Sequence, residues 1–195
     1  MAKVIQGGSR ISWTLNIFQG ASSRDTGHRL HVLFHICGKY VEHRPAFLRF
    51  LQTGTVSCGG LREALLADFE NKTAQMQMHV LGLFGKLYSG PWMKKFYTSA
   101  ESGISHIDGI RLVKKVIVTL TEQTQDPASV FTLTSDFLGN AFDAEDSTLQ
   151  ALLQPPADME TFQMLMKAVI MACVEVLERQ YKRYFLLLLS WPWAC

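Results

Sequence analysis

The sequence predicts an all-α protein, an irregular bundle of about five to eight helices. Three observations predict it. Apolar residues recur at three- and four-residue spacing through most of the chain, Gly and Pro fall between those runs, and a single short run, 116–121, competes as a strand. With 48% hydrophobic and 18% charged residues, the chain of 195 residues is too apolar and too varied to be disordered.

Residues 1–27 are rich in Gly, Ser and Gln and carry no sustained period, so a loosely ordered leader is expected there. Periodicity begins near His28. Leu30, Leu33, Phe34 and Cys37 suit a short helix that Gly38 would end, and Pro45 would open a second short one. After Cys58-Gly59-Gly60, a long helix over about 61–88 is predicted, because Leu61, Leu65, Phe69, Met76, Val80, Phe84 and Leu87 share one face. Ser89-Gly90-Pro91 closes it. Pro91 then opens a short helix with Trp92, Phe96 and Tyr97.

Ser105 with Asp108 three residues on resembles a capping box, and Ile107, Ile110, Val113, Ile117 and Leu120 carry a helix over about 106–125. The strand reading of Val116 to Thr121 rests on its β-branched residues. Beyond Pro127, Ala128 to Leu138 suits a short helix, and Asp146 or Ser147 can cap another through Leu153. The strongest helix is expected over 158–185. Phe162, Leu165, Met166, Val169, Ile170, Cys173, Val176 and Leu177 form its stripe, and Glu175 with Arg179 and Glu178 with Lys182 stand at favourable i,i+4 spacing. Residues 28–185 thus read as a single helical domain. The segment 186–195 is apolar on every side and reads as a tail extraneous to that domain, with packing into the core as the alternative.

The formal net charge of +2 hides a strong asymmetry. Lys and Arg are absent between Lys115 and Lys167, where Glu122, Asp126, Asp136, Asp143, Glu145, Asp146, Asp158 and Glu160 fall. Two ordinary solvated faces are the simpler reading, and a basic surface for an acidic partner is the sharper one. Cys37, Cys58, Cys173 and Cys195 show no C-x-x-C spacing, which suits a reducing compartment, the cytoplasm or nucleus. The apolar run Tyr184 to Cys195 falls short of the roughly 20 residues a spanning helix needs. Ile11 to Phe18, broken by Ser12, Thr14 and Asn16, makes a poor signal-peptide core.

Chemistry-bearing patterns are sparse. No P-loop, G-x-G-x-x-G, G-x-S-x-G or H-E-x-x-H pattern occurs, and no cofactor is expected. His28, His31 and His35 share a helical face near Cys37 and His43, but the second ligand pair of a zinc site is missing, so structural or surface histidines are the better reading. Cys58 before a helix could be a nucleophile with His79 or His106 as base, although nothing in the sequence singles out either. Asp108, Asp136 and Asp146 match no carboxylate motif for metal-assisted chemistry.

The most distinctive stretch, Leu83 to Tyr97, interleaves aromatics with lysines around a Gly-Pro turn. Aromatic faces and lysines are what a single-stranded nucleic acid groove uses, and also what two packed short helices display. Together with Cys58-Gly59-Gly60-Leu61-Arg62-Glu63-Ala64-Leu65 and Arg179-Gln180-Tyr181, this stretch resembles uncharacterised vertebrate proteins that look derived from mobile elements, over about residues 57–185. That resemblance implies no active site. The expectation is a non-enzymatic module that binds a protein partner. The alternative is nucleic-acid binding through Lys86, Trp92, Lys94, Lys95, Tyr97, Arg111, Lys114 and Lys115, and a further one is an enzyme of unknown class.

Overall fold

The computed structural model describes residues 29–53, 60–97 and 104–190. Among them are seven α-helices and no strand, so the chain is all-α. The helices are α1 (Arg29–Thr53), α2 (Leu61–Glu70), α3 (Lys72–Phe84), α4 (Gly90–Tyr97), α5 (His106–Gln123), α6 (Ser147–Leu152) and α7 (Met159–Ser190). A π-helical turn, Gly85–Ser89, follows α3, and a 3-10 helix, Pro127–Thr132, follows α5. The expected leader 1–27, Cys58 and residues 191–195 lie outside the described residues.

Contacts gather the chain into two compact units. The first holds α1, α2, α3 and α6, and the second holds α4, α5, the 3-10 helix and α7.

In the first unit, the two short helices expected around Gly38 and Pro45 are one helix of 25 residues. Gly38 does not end it. The glycine sits where α1 crosses α3 and α6: a Cβ on Gly38 would lie 3.0 Å from Thr148 Cγ2, and one on Gly82 would lie 3.0 Å from Gly38 Cα. Pro45 removes a helical hydrogen bond, yet packing on both sides holds the helix through it. Tyr40 and Leu51 are buried, Arg44 Nε donates to the Phe69 carbonyl at 3.1 Å, and the Phe69 ring lies 5.0 Å from Tyr40 and 5.7 Å from Phe47.

The long helix expected over 61–88 is instead divided at Asn71. Its backbone is extended, and its side chain accepts from the Thr73 and Ala74 N–H groups, so α3 begins with an N-cap where the apolar period alone suggested continuity. The π turn at Gly85 brings α3 so close to α1 that a Cβ there would lie 2.6 Å from Phe34 Cβ.

In the second unit, α5 buries Val113, Val116 and Leu120, so residues 116–121 are helical. Ser105 caps it, accepting from Asp108 N–H at 3.1 Å. The short helix expected over 128–138 shrinks to the 3-10 turn. It is followed by a loop that Asp136 organises, its carboxylate accepting from Leu138 N–H at 2.8 Å and Asn140 N–H at 3.0 Å, with Gly139 at φ 86°. Helix α7 starts behind Asp158, which accepts from Thr161 N–H at 3.0 Å. It buries Phe162, Met166 and Ile170, with the Phe131 ring 4.8 Å from Phe162, and it continues to Ser190, past the expected end at 185. No helix of the described residues is long and apolar enough to cross a membrane.

Candidate functional site

The residues singled out around 86–115 fall in both units. Lys86 belongs to the first unit, where its Nζ lies 2.5 Å from Asp146 Oδ2. Burial works to raise the Asp146 carboxyl, and the Lys86 ammonium with the Leu149 N–H outweighs it, leaving the group below its ordinary value. Lys86 therefore anchors the start of α6. Trp92 joins an aromatic cluster of the second unit, 4.3 Å from Phe96 and 6.5 Å from Phe137 between ring centroids. Lys94 and Lys95 are exposed on α4, and only the backbone of Tyr97 is described.

Lys95 borders a cavity of about 560 Å³ that lies between the end of α4, the start of α5 and Gln180, Tyr181 and Tyr184 of α7. Arg111 is exposed and 3.5 Å from Asp108, and Lys114 and Lys115 project from the outer side of α5.

A second concavity of about 680 Å³ collects residues from two helices. Ile117 and Val118 of α5 form its apolar floor, Lys114 stands on one rim, and Glu175, Glu178, Arg179 and Lys182 of α7 stand on the other. Val118 is 51% exposed although it follows the buried Val116 by two residues. The Val116-Ile117-Val118 run thus serves both sides of α5. Of this groove the sequence marked Lys114 alone as a binding residue, reading Ile117 as core and Glu175, Glu178, Arg179 and Lys182 as pairs along one helix. The signal passed over was a surplus: three consecutive apolar residues are more than one buried helical face can use.

Several of the other candidate residues have structural roles, while Cys58 lies outside the described residues. The Cys37 thiol points into the core, 3.3 Å from Met78 Sδ, and burial pushes its pKa up to about 12, whereas His35 beside it in sequence is exposed. A buried, protonated thiol is a poor metal ligand. Among the described residues no group of three or more His, Cys, Asp or Glu could hold a metal ion. His79 is buried, and its Nε2 donates to the Leu152 carbonyl at 2.6 Å, satisfying the last carbonyl of α6. Burial lowers its pKa, the Leu152 hydrogen bond opposing, so the imidazole is the neutral form. Asp108 and Asp136 are a helix cap partner and a loop organiser, and Asp146 is the N-cap of α6.

One polar group that the sequence did not mark joins three side chains. Glu42 of α1 accepts from Lys39 Nζ at 2.7 Å, Thr148 Oγ1 at 2.5 Å and Ser147 Oγ at 2.7 Å, and these bonds lower its pKa to about 2. It fastens α6 to α1. No nucleophile–base–acid arrangement results, because Ser147 donates directly to the carboxylate, with no imidazole between them.

No protein-family model, no curated protein and no solved structure matches the chain.

Proposed function

We propose that the protein is a non-enzymatic, helical protein-interaction module that works inside the cell, in the cytoplasm or nucleus, and docks its partner on the α5–α7 side of the second unit. The observation that carries this reading is the apolar area left outside the core there. Val118, on the apolar floor of a groove with charged rims, is 51% exposed, and Met164 and Met171 on the outer face of α7 are 63% and 54% exposed. An apolar centre within a polar rim is the anatomy of a protein interface. Phe47, Phe50 and Leu61 of the first unit are exposed as well. Cys37 and Cys173 are free thiols, consistent with a reducing compartment.

A second reading, nucleic-acid binding, is favoured by Arg111, Lys114 and Lys115 on α5 with Arg179 and Lys182 across the groove. Glu175 and Glu178 on the same rim work against it, since each cancels part of the field that would draw phosphates. One experiment separates the two. A photoreactive residue at Val118, with the exposed Leu61 as control position, is irradiated in cell extract, and a fluorescent single strand is titrated in parallel across salt. Protein crosslinks specific to position 118 and lost on Met171→Glu are the expected result. Tight, steeply salt-dependent strand binding that Lys114→Glu abolishes would replace this reading with the second.

A further inference from the structure

The face of α7 opposite its buried Phe162, Met166 and Ile170 is a stripe at spacings of three and four residues. It runs Glu160, Met164, Lys167, Met171, Glu175, Glu178, Lys182, and every one of these side chains is exposed. Such near-heptad spacing is how a helix presents itself to another helix along its length. The stretch is about 33 Å long at 1.5 Å per residue. Its two methionines are unbranched and polarisable, suited to packing against a surface that is not rigidly preformed.

The charges select the occupant. Glu160 and Lys182 stand eleven residues to either side of Met171, and Lys167 and Glu175 stand four to either side. The stripe is therefore complementary to its own reverse. We infer that two copies of this chain pair antiparallel through the outer face of α7, with Met171 on the two-fold axis. Lys167 then meets Glu175 of the partner subunit, and Glu160 meets Lys182 of the partner subunit, each contact occurring twice by symmetry. Met164 lies along the aliphatic stem of Glu178 of the partner subunit. Parallel, in-register pairing would instead set Lys167 against its own copy and Glu175 against its own copy, so charge specifies direction as well as partner. The groove floored by Ile117 and Val118 flanks the stripe and extends the buried area. This inference rests on the interaction-module reading and names the partner as a second copy.

The test is the mass of the full chain by sedimentation equilibrium, up to about 100 μM, well above the dissociation constant of a micromolar complex. A dimer is expected. Lys167→Glu should weaken it by about tenfold or more, because two like-charge contacts replace two attractive ones. Lys167→Glu combined with Glu175→Lys should restore it. The neighbours of Lys167 at three and four residues, Gln163, Met164, Ile170 and Met171, are uncharged, so the single variant disturbs no ion pair within its own helix, and circular dichroism checks that it folds. A chain monomeric at the top concentration, a dimer indifferent to Lys167→Glu, or a double variant no better than the single would each overturn the inference. A photoreactive residue at position 171 separates its failure from that of the underlying reading. Self-crosslinks support the dimer, crosslinks only to other proteins overturn the dimer and leave the module, and no crosslink overturns both.

Discussion

The two units solve helix packing in different ways. In the first, backbones approach so closely that glycine is required: a Cβ on Gly82 would lie 2.9 Å from Leu152 Cδ2 and 3.0 Å from Gly38 N. Polar side chains then lock the crossing, with Glu42, Lys86 and His79 all reaching α6 or the residue before it. In the second, side chains do the packing. A Cβ on Gly109, within α5, would meet nothing closer than 3.5 Å, and the long helix α7 buries one face while its opposite face stays in solvent. The first unit uses its chemistry to hold itself together. Both units expose apolar side chains, Phe47, Phe50 and Leu61 in the first and Val118, Met164 and Met171 in the second, but only in the second do they stand on long helices whose outer faces carry none of that locking chemistry, and the proposed interface lies there.

The largest effect expected from breaking that contrast is in the second unit's core. Phe162 is fully buried against Phe131, and Phe162→Ala should cost about 3–5 kcal/mol, measured by urea unfolding. A loss under about 1 kcal/mol would mean that α7 is not packed as described.

Glycine tests the first unit more sharply. Gly82→Ala should destabilise by about 1–3 kcal/mol through overpacking, despite the gain in helix propensity. Gly109→Ala, with room for its methyl group, should be neutral or stabilise by up to about 1 kcal/mol. If both variants shift stability in the same direction, the two units do not differ in the way argued.

Acid should loosen the first unit in two steps. His79 has a folded pKa below its ordinary 6.5, so the unfolded chain takes up the proton more readily; the stability it contributes is present above pH 6.5 and is lost as pH falls below it. Glu42, lowered from 4.5 to about 2, contributes above pH 4.5 and loses that contribution as pH falls towards 2. His79→Phe should flatten the first step alone, and Glu42→Ala should cost about 1–2 kcal/mol at neutral pH and flatten the second. These midpoints are read from denaturant curves across pH.

How much of this was legible in the sequence depended on the range of the interaction. Helices α5 and α7 could be read because their periods, caps and solvent faces are local: Ser105 and Asp108 announce one start, and Phe162, Met166 and Ile170 mark one stripe. Helix α1 could not, since Gly38 and Pro45 are helix breakers by local rule, and what overrides them is Thr148, Gly82 and Phe69, distant in sequence. The groove was half legible. Val116-Ile117-Val118 stood out as β-branched, but whether the surplus meant a strand or a second apolar face depends on what lies across from Val113 and Leu120. Glu42 shows only its local pair with Lys39 in the sequence, because Ser147 and Thr148, which make it a fastening between helices, are more than a hundred residues away.

The smallest stability effect belongs to the surface on which the functional reading depends. Met171 is 54% exposed and Met166, five residues earlier on the same helix, is fully buried. Met166→Ala removes packed methylenes and should cost about 2–5 kcal/mol, whereas Met171→Gln keeps the length and helix propensity of its side chain and removes little that the folded monomer buries. Its thermal unfolding free energy should therefore change by no more than about 0.5 kcal/mol. Association should respond instead, because the apolar centre of the proposed interface is replaced by an amide that must be desolvated. A variant at 171 that melts as the parent does and no longer associates would tie the exposed stripe to binding. One that loses stability in dilute monomer would show Met171 to be part of the core, and would remove the apolar area from which the docking face was drawn.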